Sequence, residues 1–105
     1  MHTKRVRYMT LPAGVTIHMR EIFLPQIFPT MSAHDTLKIA QWYVHERDVI
    51  QPGDMLLEIE APVGFIDIPA PPDVTAPHRV ARIAKAQGEP IRLGDLMIVL
   101  EPIES

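Results

Sequence analysis

Any chemistry in this chain has to come from a short inventory: five histidines (His2, His18, His34, His45, His78), three lysines (Lys4, Lys38, Lys85), two serines (Ser32, Ser105) and no cysteine. Without thiols there is no disulfide, thiolate metal site or cysteine nucleophile, and nothing argues for an oxidising compartment. The histidines lack metal-site spacing, and His45-Glu46 reads as a wet surface turn rather than a ligand set. A Ser-His-Asp centre would rest on Ser32, which has no nucleophile elbow around it. No glycine-rich phosphate loop is present. What stands out instead is apolar: in EIEAPVGFIDIPAP (58–71), two strand-like runs meet at a tight turn, Ala61-Pro62-Val63-Gly64, with Phe65 beside it. Proline at the second position and glycine at the fourth suit a type I turn, and proline stiffens it. One reading makes this tip no more than a stable hairpin end. The other makes Ala61, Pro62, Val63, Gly64 and Phe65 an exposed apolar tip that docks into a partner's pocket.

Eleven prolines spread through the chain forbid long helices, so the elements that position this turn must be short strands. Apolar and β-branched content predicts them at Arg5–Leu11, Val15–Leu24, Leu37–Val44, Met55–Glu60, Phe65–Ile68, Arg79–Ala84 and Leu96–Glu101. The first two flank Pro12-Ala13-Gly14 as a hairpin. HRVARIAKAQG (78–88) favours helix on propensity alone, with Gly88 as its stop. An internal repeat decides otherwise. Displaced by 41 residues, DVIQPGDMLLEIE (48–60) falls on EPIRLGDLMIVLE (89–101), matching Ile50 with Ile91, Gly53-Asp54 with Gly94-Asp95, and Glu60 with Glu101. The same shift lays Ile39, Ala40 and Trp42 on Val80, Ala81 and Ile83, and a repeated unit implies one structure twice. Because Ile39, Trp42, Tyr43 and Val44 favour strand, the second copy is read as strand too. Each copy is strand, Gly-Asp turn, strand. Two copies related by a pseudo-two-fold axis give two small antiparallel sheets around one core. Ile39, Trp42, Val44, Ile50, Leu56, Ile59, Ile66, Ile68, Val80, Ile83, Ile91, Leu93, Met97, Val99 and Leu100 are the predicted core.

At 105 residues the chain is read as one all-β domain (20–105) preceded by a basic extension (1–19), a size that favours a binding or carrier module over an enzyme. Residues 1–20 hold Lys4, Arg5, Arg7 and Arg20 and no acid, so all thirteen acidic residues lie in the rest of the chain. This arm either lies against its own acidic body or is merely solvated, or else it guides docking onto an acidic partner. An acidic body without interleaved basic and aromatic residues argues against nucleic acid. With no signal-like or membrane-length apolar run, the expectation is a cytoplasmic protein that does not engage a membrane.

Within this scheme WYVHERDVIQPGDMLLEIE (42–60), followed by FIDIPAP (65–71) and preceded by EIFLPQIFPTM (21–31), resembles the biotinyl/lipoyl domain family, especially the lipoyl domains of 2-oxo acid dehydrogenase acyltransferases. The resemblance implies a flattened barrel-sandwich hybrid with a modified lysine at the hairpin tip. Three departures stand out. Val63 occupies the lysine position, and no lysine lies between Glu58 and Pro77. Arg47 stands where a glycine is usual, and the link PAPPDVTAPHRV (69–80) is long. The expected function is therefore a freestanding, non-catalytic docking or adaptor subunit without cofactor. The resemblance implies as its partner an enzyme that receives lipoyl domains, such as a thiamine-diphosphate-dependent dehydrogenase or decarboxylase, or an acyltransferase. The alternative is an acyl or cofactor carrier of a 2-oxo acid dehydrogenase-type complex with an atypical attachment site. Secretion-adaptor halves, which carry a helical hairpin insert, fit less well, because nothing between Ile59 and Val80 is long enough to supply one. An enzyme in its own right ranks last.

Overall fold

The computed structural model describes residues 8–10 and 16–103. Regular structure among them is entirely β: β1 (Tyr8–Thr10), β2 (Thr16–His18), β3 (Arg20–Phe23), β4 (Leu37–Trp42), β5 (Val49–Ile50), β6 (Met55–Ala61), β7 (Gly64–Pro69), β8 (His78–Ile83), β9 (Pro90–Ile91) and β10 (Leu96–Pro102). One four-stranded sheet has the order β3-β10-β8-β5 and the other β7-β6-β4-β9, and β1 pairs with β2. Every pairing is antiparallel. The two sheets form an open sandwich over one core, which includes Ile39, Ile59, Ile91 and Leu100, all without exposure.

The repeat seen in the sequence is a repeat of hydrogen bonds. Lys38 lies across from Glu60 and Trp42 from Leu57, just as Arg79 lies across from Glu101 and Ile83 from Ile98. Tyr43 N–H donates to Leu56 O at 2.8 Å and Ala84 N–H to Met97 O at 2.9 Å. Both halves break register at the matching alanine. Between the Ile39 and Gln41 pairs Ala40 is the extra residue, and between Val80 and Arg82 it is Ala81, each a β-bulge. The halves also exchange strands. β10 and β8 of the second half are flanked by β3 and β5 of the first, and β6 and β4 of the first by β7 and β9 of the second.

Several expectations need correction. The run predicted as one strand over Val15–Leu24 is two, with Met19 between β2 and β3. Its first residue, the proposed hairpin turn at Pro12-Ala13-Gly14, and Arg5 to Arg7 lie outside the described residues. Strands β5 and β9 were not foreseen, because two residues carry no period to read. The segment 78–83 is strand, as the repeat requires against its helical propensity, and so needs no correction. Gly88 stops no helix; it takes φ of 87° in the turn before β9.

Ten of the fifteen predicted core residues are buried, and Trp42, Ile66, Ile83 and Leu93 pack against them half-buried. Val99 is off the core, while Leu57 and Ile98, not predicted, are fully buried. Their pairings explain the miss. Register shifts between Met55 and Leu57 and between Leu96 and Ile98 make Leu56 and Met97 bulge residues, so two consecutive side chains face inward and strict alternation fails. Ile22, Leu24, Met31, Leu37, Ala70 and Val74 complete the core. The backbone places Leu24 and Ala70 in matching roles, their N–H groups donating to Asp95 O and Asp54 O at 2.8 Å. EIFLP (21–25) and DIPAP (67–71) are thus a second, fainter repeat, with Ile22 across from Ile98 and Ile68 across from Leu57.

Candidate functional site

Strands β6 and β7 run antiparallel up to the pair Ala61↔Gly64, leaving Pro62 and Val63 as a two-residue loop. Neither has positive φ, while Gly64 has φ of 127°. Negative φ at both central residues excludes the primed and type II turns and agrees with the type I turn expected from the sequence. The following glycine takes up the twist that a type I turn otherwise imposes on a hairpin. A Cβ on Gly64 would meet nothing within 4 Å, so only its backbone conformation, not crowding, asks for glycine there.

The five residues singled out in the sequence form one hairpin end. Ala61 is half-buried and packs on the core, whereas Pro62, Val63, Gly64 and Phe65 are exposed. Val63 and Phe65, at 64% and 65%, are the most exposed of the large hydrophobic side chains described. Neither lysine among the described residues is in the loop. Lys38 is exposed on β4 across from Glu60, and Lys85 is half-buried beyond β8, its carbonyl accepting the Trp42 indole N–H at 2.7 Å. Trp42 therefore ties one half to the other as well as packing on the core.

Two features near the tip were not read from the sequence. Phe65 lies across from Glu60, and Asp67 across from Glu58, so three carboxylates share the outer face of this sheet with the aromatic ring. The matching face of the other sheet carries Val99 in place of Glu58 and Arg82 in place of Gln41. The Tyr43 hydroxyl donates to Asp67 Oδ1 at 2.7 Å, which binds the chain after β4 to edge strand β7. That bond, with smaller effects of desolvation and of the Asp67 and Glu58 charges, pushes the Tyr43 hydroxyl up to about 12. The signal was in the repeat, since Ala84 stands at the matching position and needs no partner. Beside the tip, Thr36, Lys38, Glu60, Pro62 and Pro90 line a shallow cleft of about 410 Å³.

Among the described residues no three histidine, aspartate or glutamate side chains gather as a metal site, and no helix is long and apolar enough to cross a membrane. In comparison with known proteins, no family model and no curated protein matches the chain. What the fold defines is a class of architecture: a pseudo-symmetric, strand-exchanged β-sandwich with an exposed apolar hairpin tip.

Proposed function

We propose that this protein is a freestanding, lipoyl-domain-like docking subunit that carries no cofactor and works by presenting its hairpin tip to a partner enzyme. The observation that carries the reading is the exposure of two large apolar side chains, Val63 in the loop and Phe65 just after it, at the end of a hairpin whose strands are held by the core. Leaving such side chains in water is unfavourable, and a concave apolar site on another protein would relieve it. Resemblance alone points to the partner class, an enzyme that receives lipoyl domains. Glu58, Glu60 and Asp67 beside the ring add a requirement for positive charge around the receiving pocket.

Two measurements test this. Coexpression with a lipoate or biotin ligase should leave the intact mass unchanged, whereas Val63→Lys should gain one cofactor if the hairpin keeps carrier geometry. A stoichiometric gain by the unaltered chain would instead establish the carrier reading. Affinity capture with the unaltered chain should recover an enzyme that a Val63→Asp bait loses; equal recovery by both would remove the tip as the docking element.

A further inference from the structure

An open groove of about 560 Å³ runs between the two sheets beside β7, walled in part by Phe23, Pro25, Ile27, Ile66 and Met97. Arg20 Nη2 pairs with Asp73 Oδ2 at 2.8 Å on its border, tying the start of β3 to the chain beyond β7. Among the described residues β7 is paired along one side only, with β6. On the other side alternate residues direct their N–H and C=O groups away from the sheet, which is the pattern a further strand can join. The side chains of β7 alternate as well. Phe65 and Asp67 are exposed on the outer face, and between them Ile66 is half-buried at the groove.

Charge decides what a segment on that edge must carry. Glu58 lies across from Asp67, and each accepts from a neutral donor: Glu58 from Gln41 Nε2 at 3.1 Å, Asp67 from the Tyr43 hydroxyl at 2.7 Å. Neither bond cancels a charge. Glu60, across from Phe65, has Lys38 on its other side, so the excess on this face is the negative charge of Glu58 and Asp67. A second copy joined through its own β7 would set these carboxylates against their equals, which is unfavourable. We propose that β7 accepts, by strand addition, an extended segment of a partner protein in which basic and apolar residues alternate. The residue set across from Ile66 enters the groove and covers Phe23, 49% exposed without it, and Met97. Its two neighbours fall on the outer face, one placing its cation on the Phe65 ring and the other pairing with Asp67. Backbone bonds hold the segment, and the alternation selects it. The site stands apart from the tip, since it needs neither Val63 nor an enzyme that receives lipoyl domains.

Amide and methyl NMR of the full chain, titrated with a terminally blocked peptide of alternating valine and arginine, tests the proposal. Saturable shifts should gather on the β7 amides and on the Ile66 and Met97 methyls, and β7 amide exchange should slow about tenfold or more at saturation. A valine-glutamate peptide should leave the spectrum unchanged. A valine-arginine peptide N-methylated throughout, which keeps its side chains and loses its donors, should give no protection. Asp67→Lys should weaken the arginine peptide severalfold, whereas Val63→Asp should bind it as the unaltered chain does, which separates this site from the tip. Absent or scattered shifts, or equal binding of the N-methylated peptide, would overturn the proposal. So would concentration-dependent β7 shifts with no peptide present, which would make a second copy the occupant.

Discussion

The turn from His45 to Asp48 and the turn from Ala86 to Glu89 follow the same path with different residues at the decisive step. Arg47 N–H donates to Val80 O and Gly88 N–H to Ile39 O, both at 2.8 Å. An acidic side chain closes each turn, Asp48 on the His45 N–H and Glu89 on the Ala86 N–H. Yet Arg47, at φ of 80°, occupies backbone space that Gly88 enters at φ of 87°. An L-residue there is strained and glycine is not. The hydrogen-bond frame thus holds the two halves alike while single residues differ within it. Surface turns accept some strain, because the sheets they join are anchored elsewhere.

The sharpest check on the likeness of the halves lies in the core. Leu57→Ala and Ile98→Ala remove matching, fully buried side chains opposite Trp42 and Ile83. Each should lower the urea unfolding free energy by about 2–5 kcal/mol, and by similar amounts. A large disparity would show that the halves share backbone but not packing. In the turns the signs should oppose: Gly88→Ala destabilises by about 1–2 kcal/mol, and Arg47→Gly stabilises by up to about 1 kcal/mol. Loss of stability on Arg47→Gly would mean that the arginine makes a compensating contact. The Gly-Asp turns form a matched control, since Asp54 Oδ2 accepts from Gln51 N–H at 2.8 Å and Asp95 Oδ2 from Arg92 N–H at 2.9 Å. Substitution of either aspartate by alanine should cost about 1 kcal/mol in the same assay.

The smallest effect lies where the halves differ, at Tyr43 and Ala84. The Tyr43 hydroxyl is pushed up from 10.0 to about 12, so the phenolate is disfavoured in the folded state. The stabilisation from this shift is whole below pH 10 and fades as pH rises through 12. Ultraviolet titration should show Tyr43 ionising late, and Asp67→Asn should bring it back toward the ordinary tyrosine range.

How much of this was legible follows from which signals are local. Gly53-Asp54 and Gly94-Asp95 sit in strong local motifs, so the Gly-Asp turns, the strands around them and the two-sheet architecture could be read. Leu57 and Ile98 could not, because their inward direction depends on bulges one residue away that only cross-strand register creates. The second repeat, EIFLP on DIPAP, was hidden by Phe23 against Pro69 and Leu24 against Ala70, where the backbone bonds are kept and the side chains are not. At the tip, the turn and its apolar residues were evident from Pro62 and Gly64. The carboxylate flank was not, because Glu60 and Asp67 come beside Phe65 and Glu58 only through the pairing of β6 with β7.

Strand exchange has one more consequence, seen by following the chain from β6 into β7. That passage, through Pro62 and Val63, is the covalent joint between the two halves, and among the described residues they are otherwise united by hydrogen bonding, burial and the Arg20–Asp73 ion pair. Topologically the protein is a dimer whose subunits have been spliced at a loop. A nick there should leave two fragments that hold together, each lacking the outer strands of its own sheet until the other supplies them. The loop bears little of the mechanical burden of the fold, which leaves its sequence free to change with whatever it meets.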